Sequence, residues 1–175
     1  MLNIGANISS KIININKKEI NKEEFVNLVE ENKVSLYRLA RSILKNDVDV
    51  DDAISEAILK AYKNKNKLKN KESFKSWMMR IVANECYNLI RKNNRFDLRD
   101  NLDTLNLVHT DKEYCGLREI IDDLSEEFSS VLVLFYYEDM SIKDISKVLQ
   151  ISEGTVKSRL NRAKSKLKVL LKEEI

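Results

Sequence analysis

A chain of 175 residues with 31 Lys+Arg against 28 Asp+Glu carries a net charge of only +3, so any affinity for nucleic acid must come from where the charge clusters. No Pro, three Gly and two Cys point to an all-helical protein with polar linkers and leave a disulfide framework unsupported. The longest apolar run, 131–137, is too short to span a bilayer, and residues 1–10 lack the basic start and apolar stretch of a signal peptide, so a cytoplasmic protein with no membrane insertion is expected.

Residues 1–20 show no sustained period and read as a poorly ordered leader. From Asn21, followed by Glu24 in the pattern of a capping box, the residues Phe25, Leu28, Val29, Leu36, Leu39, Ala40, Ile43 and Leu44 keep helical spacing to about Lys45. After a break at 46–49, Val50, Ala53, Ile54, Ala57, Ile58 and Ala61 form one stripe of a second helix. Its polar face holds Asp51, Asp52, Ser55 and Glu56, with Leu59 opposite the buried stripe. An apolar residue centred among acids suggests a partner surface. Asp47, Asp49 and Asp51 imitate the start of a calcium loop, but that loop needs Gly where Asp52 stands and Glu where Ile58 stands, so no metal site is expected.

Segment 63–71 places lysine at every second position, a spacing that suits an extended stretch following a flexible strand. A third helix starts near Ser73 and runs to about Asn93. It is apolar on two sides, with Trp77, Met78, Ile81, Val82 and Leu89 on one and Met79, Ala83, Cys86 and Ile90 on the other, so it should pack between neighbours. Phe74 and Trp77 are read as core. The remaining stripe offers Arg80, Asn84, Asn88 and Arg91, which with Lys65, Lys67 and Lys69 supply an electrostatic track plus amide and planar groups for single-stranded nucleic acid.

Beyond about Arg95 the chain is polar and aperiodic to Glu113, as a linker would be. Leu117, Ile120, Ile121 and Leu124 then open a C-terminal domain, which continues through a helix at about 126–137. Cys86 and Cys115 are far apart, with only His109 as an imidazole, and support neither zinc nor any other cofactor. A short helix over 141–149 has Ile142, Ile145, Val148 and Leu149 inside, and about four residues separate it from the last helix. Two helices and a tight turn make a helix-turn-helix.

In that last helix Ser152 is a good N-cap, Glu153 suits the helix dipole, and Gly154 leaves room where a backbone could come close. Val156, Leu160, Ala163, Leu167 and Leu170 share one face. Ser158, Asn161, Arg162 and Ser165 fall opposite, flanked by Lys157, Arg159, Lys164 and Lys166. Not one acid occurs between Lys157 and Lys172, so this face cannot neutralise itself and should look outward for phosphates.

Together these halves resemble the extracytoplasmic-function (ECF) group of sigma factors, the two-domain bacterial transcription initiation factors. The resemblance covers about 24–174 and is strongest over Met140 to Ala163, which is similar to the family's promoter-reading domain. Asp49 to Tyr62 resembles the helix that grips the polymerase clamp. Phe74-Lys75-Ser76-Trp77-Met78 with Ile81-Val82-Ala83-Asn84 and Arg91 resembles the helix for the −10 element. Departures are Gln150 where Gly is usual, Ser146 for Ala and Ser55 for Gln; Gln150 is expected to adopt a positive φ.

The resemblance implies an all-α fold of two small helical domains joined by a flexible linker: a leader 1–20, an N-terminal domain 21–95, a linker 96–113 and a helix-turn-helix domain 114–175. It implies a non-enzymatic factor that recruits core RNA polymerase to promoter DNA. Asp51, Asp52, Ser55, Glu56 and Leu59 would bind the core; Lys157, Ser158, Arg159, Asn161, Arg162, Lys164 and Ser165 would read the −35 element. Lys65, Lys67, Lys69, Arg80, Asn84, Asn88 and Arg91 would take the melted −10 element. An anti-sigma factor is the expected regulator. The residues alone also fit a stand-alone helix-turn-helix regulator that binds its operator as a dimer, whereas a nuclease lacks any coherent catalytic cluster.

Overall fold

The computed structural model describes residues 20–68, 70–97, 121 and 124–173, and every regular element among them is helical. The leader, except Ile20, and the greater part of the linker fall outside the described residues. So do Lys69, His109, Cys115 and Leu117. Ile20 is not part of a loose leader: it is 5% exposed, and its carbonyl accepts from Lys65 Nζ at 2.6 Å.

Helix α1 spans Lys22–Ile43, capped by Asn21, whose Oδ1 accepts the Glu24 N–H at 2.8 Å. Helix α2 spans Asp47–Asn64 and begins earlier than its apolar stripe, because Asn46 Oδ1 accepts from Val48 N–H at 2.9 Å and so starts the helix inside the expected break. Among its described residues the lysine-rich segment is mostly helical turns, with extended backbone only at Leu68 and Asn70. Lys63 lies in the last turn of α2, 3-10 turns follow at Lys65–Lys67 and Lys71–Ser73, and between them the buried Leu68 pins the chain to the core. Helix α3 spans Phe74–Asp97, and Phe25 holds Tyr62 and Phe74 edge-on at 5.3 and 5.8 Å, tying the three helices together. Phe74 is buried as expected, and Trp77 is half-buried beside it.

In the C-terminal half α4, Glu126–Leu132, runs into a π turn at Val133–Tyr137. Helix α5, Ile142–Leu149, is capped by Ser141 and ends at Gln150, which takes φ 55 as expected; its N–H and that of Ile151 both donate to Ser146 O. Helix α6, Glu153–Glu173, is capped by Ser152 Oγ, which accepts from Thr155 N–H at 3.0 Å.

Helix α3 packs against α1 and α2 on one side and against α5 on the other, which explains its two apolar faces, and α4 lies on α1. The buried residues of both halves form one continuous cluster from Ile20 to Ala163. Cys86 is wholly buried within it, and that burial pushes its thiol up to about 12, as befits a packing residue rather than a reactive one.

Candidate nucleic-acid interface

Val156, Leu160 and Ala163 anchor α6 against α4 and α5 and turn its other side outward. Lys157, Ser158, Asn161, Arg162, Lys164 and Ser165 are all exposed there. Arg162 and Lys157 make no ion pair with any described residue, so both can still take up a phosphate or a base edge. Ser158 Oγ and Ser165 Oγ donate back to Thr155 O and Asn161 O at 2.9 and 3.1 Å, leaving each hydroxyl able to accept.

Two members of this set are engaged by the fold. Arg159 is 20% exposed and pairs with Glu127 of α4 at 3.1 Å, so it braces α6 instead of standing on the outer face. Lys164 lies 5.7 and 5.5 Å from the ring centroids of Phe135 and Tyr136, a cation–π seat that holds the ammonium at one edge of the face. Gly154 has open space: a Cβ there would meet only Ser152 Oγ, at 3.7 Å. Among the described residues nothing requires a glycine at that position.

In the N-terminal half Arg80, Asn88 and Arg91 are exposed on α3, and Asn84 is half-buried. Arg91 is pre-positioned, its Nη2 donating to Asn88 Oδ1 at 2.7 Å and its Nε to Tyr87 O at 3.2 Å. Asn84, Asn88 and Arg91 line an open recess of about 630 Å³ that is closed on its far side by Leu149 and Gln150. Gln150 Nε2 donates to Asn84 Oδ1. Ten residues of helix, roughly 15 Å, separate Asn84 from Phe74, the first residue of α3 after the lysine-rich segment. Lys67 is exposed, whereas Lys65 is tied to Ile20 O and lies 5.8 Å over the Tyr62 ring.

Asp51, Asp52, Ser55, Glu56 and Leu59 are all exposed on α2, Leu59 to 55%. Asp52, Ser55, Glu56 and Leu59 border a groove of about 420 Å³ whose other wall is Glu85, Leu89 and Lys92 of α3. Lys60, which the helix pattern did not single out, bridges Glu85 at 2.5 Å and Glu56 at 3.5 Å; the hydrogen bond to Glu85 raises its pKa. Its one signal in the sequence is its place one turn after Glu56.

A second cluster absent from the sequence reading surrounds Glu138, whose side chain is 1% exposed. Arg38 and Lys75 reach it at 2.5 and 2.9 Å. Burial pushes this carboxyl up, but hydrogen bonds from Ser35, Lys75 and Arg38 outweigh it and hold the group below the usual glutamate range. Among the described residues no His, Cys, Asp and Glu gather as a metal site, and no helix is long and apolar enough to cross a membrane.

The profile of Sigma-70 region 2 matches residues 28–96, and that of Sigma-70, region 4 matches residues 116–167. The chain is 29% identical to RNA polymerase sigma factor SigV of Bacillus subtilis, covering 90% of this chain and 97% of that protein. It is 30% identical to ECF RNA polymerase sigma factor SigM of Mycobacterium tuberculosis, covering 78% of this chain and 71% of that one. Among solved structures, the sigma factor RpoE in complex with the anti-sigma factor NepR from Bartonella quintana aligns with a TM-score of 0.69 at 22% identity, over 86% of this chain and 96% of its own. CnrH in complex with the cytosolic domain of CnrY aligns with a TM-score of 0.62 at 26% identity, over 89% and 92%.

Proposed function

Because the chain belongs to the ECF group of RNA polymerase sigma factors, we propose that each of its exposed faces serves one step of promoter-directed initiation. As a sigma factor it recognises promoters in company with core RNA polymerase and is not a stand-alone regulator. The division of labour is our reading. The acidic groove with Leu59 docks on core polymerase, where an exposed leucine ringed by carboxylates has the make-up of an interface anchor within a polar rim. The outer face of α6 lies in the major groove of the −35 element, with Arg162, Asn161 and Ser158 at base edges and Lys157 and Lys164 on phosphates. Arg80, Asn84, Asn88 and Arg91 take the −10 element once it is single-stranded, with Lys67 and Lys69 along its backbone.

The single observation that carries this reading is the exposed, acid-free face of α6, held outward by its buried stripe, in the same chain as a separate acidic docking groove. The chain does its work by positioning, and the polymerase supplies the chemistry. Its place of action is the cytoplasm, and an anti-sigma factor restrains it, as the solved complexes of RpoE with NepR and of CnrH with CnrY suggest by analogy.

Adding the purified protein to sigma-free core polymerase on a genomic template tests the reading. Initiation at particular start sites is expected. Absence of specific starts, with dimeric binding to a palindromic duplex in their place, would overturn it.

A further inference from the structure

Three of the cations that flank the outer face of α6 are held by the fold in two different ways. Arg159 is met by a carboxylate, that of Glu127 at 3.1 Å, so its charge is cancelled where it stands. Lys164 and Lys166 meet rings instead. Lys164 Nζ lies 5.7 and 5.5 Å from the centroids of Phe135 and Tyr136, and Lys166 Nζ lies 4.7 Å from that of Phe128. Both lysines are exposed, and neither makes an ion pair with a described residue. A ring attracts an ammonium through its quadrupole and carries no net charge, so a seated lysine keeps its full charge for a phosphate.

The seat for Lys164 is built by the backbone. A π turn holds more residues per turn than an α turn, so the consecutive Phe135 and Tyr136 within Val133–Tyr137 present their rings to one ammonium. The two rings brace each other edge-on, 5.0 Å apart at 81°. Val133 and Leu134 before them are buried, whereas Phe135 is half-buried and Tyr136 is 57% exposed, so the pair rises from the core to the surface beside α6. Lys166 follows Lys164 by two residues, about 200° around the helix. The two ammoniums therefore stand on opposite flanks of the buried stripe of Val156, Leu160 and Ala163.

We propose that Tyr136, backed by Phe135, is a positioning residue for promoter binding: it holds the Lys164 ammonium at the edge of the reading face, uncancelled and pre-set for a backbone phosphate of the duplex. Phe128 does the same for Lys166 on the other flank. A lysine that closes on a phosphate gives up the freedom of a flexible four-carbon stem. The rings restrict that stem before DNA arrives, so less is lost on binding and the affinity rises. The contact goes to phosphate, so it strengthens binding to every promoter alike and leaves the reading of sequence to Arg162 and its neighbours. The seat stands on the ring contacts alone; its use rests on the −35 reading of α6 proposed above.

Proton NMR of the free full chain tests the seat without DNA. The ε-methylene protons of Lys164, identified by their disappearance in Lys164→Arg, should be shifted upfield by the ring currents and should move back toward the other lysines in Tyr136→Leu. Unshifted protons in the wild type overturn the seat, whether or not any variant folds. Holoenzyme made from core polymerase and each variant is then titrated, over about 50–200 mM salt, with a duplex promoter taken from a start site mapped with the wild type. Tyr136→Leu, with unchanged helical circular dichroism, should weaken binding about threefold and keep the salt slope, because Lys164 still reaches its phosphate. Tyr136→Phe, which keeps the ring, should bind as the wild type does. Lys164→Gln should lower the salt slope by about one, and in that background Tyr136→Leu should cost nothing further. An equal loss in both backgrounds assigns Tyr136 to structure alone and overturns the positioning role, as does a Tyr136→Phe protein as weak as Tyr136→Leu. Failure of the −35 reading looks different: the upfield shift is present while Lys164→Gln leaves affinity and slope unchanged, which overturns the use of the seat and not the seat.

Discussion

The hydroxyl of Ser129 donates to the backbone carbonyl of Ser42 at 2.5 Å, with both residues buried between α4 and α1. Ser42 lies in the last turn of α1, where carbonyls have no partner within the helix, so a side chain from the other half completes it. Ser129→Ala leaves that carbonyl buried and unpaired. It should destabilise the chain by about 1–3 kcal/mol in urea unfolding followed by circular dichroism. An unchanged midpoint would show that water replaces the hydroxyl and that the joint is wetter than its packing implies.

Gln150 holds φ 55 at the end of α5, a conformation that is costly for a residue with a Cβ. Gln150→Gly removes that strain and forfeits only an exposed contact with Asn84. The melting temperature should rise, corresponding to a gain of up to about 1 kcal/mol.

Arg162 and Arg159 separate reading from bracing. Arg162→Ala should change which −35 sequences are used, at roughly 1–3 kcal/mol per lost base contact in competition binding. Arg159→Ala should lower stability with little change in preference, because its guanidinium is spent on Glu127. Sequence preference that moves with Arg159 and not with Arg162 would reverse the orientation of α6 on DNA.

Leu59→Arg tests the docking groove. At 55% exposure the new charge stays in water, so the fold should survive while pull-down of core polymerase weakens by tenfold or more, about 1.4 kcal/mol. Retained capture by the folded variant would return Leu59 to the ordinary exposed surface.

The Glu138 carboxyl, held below the usual glutamate range, makes stability depend on acid. A depressed native pKa stabilises the folded form fully above the unfolded value, near ~4.3, and loses that contribution as pH falls through the lower native value. The stability difference between wild type and Glu138→Gln should be flat above about pH 5.5 and shrink steadily below about pH 4. A difference that grew toward acid would mean that burial, not Arg38 and Lys75, sets the carboxyl's ionisation.

The helices, their caps and the outward face of α6 were legible in the sequence, because each rests on residues three or four apart. Asn21 with Glu24, Ser141 with Asp144, and Ser152 with Thr155 close their caps within one turn. The stripe of Val156, Leu160 and Ala163 determines which way Arg162 points, and the two apolar sides of α3 foretold neighbours on both. Backbone geometry, too, was local: the missing glycine at Gln150 announced its positive φ.

Tertiary structure alone decided what the charged side chains meet. Glu138 finds Arg38 a hundred residues away, Ser129 finds Ser42 across 87, and Asn84 meets Gln150 across 66. Lys65 spends its charge on Ile20 O, and Arg159 turns inward to Glu127, although their spacing in the chain matches that of their free neighbours. Long-range charge pairing leaves no period in a sequence. A lysine or arginine on a helix has enough reach to serve either the solvent or a partner, and which of the two it serves is set by the acceptor that packing brings within that reach.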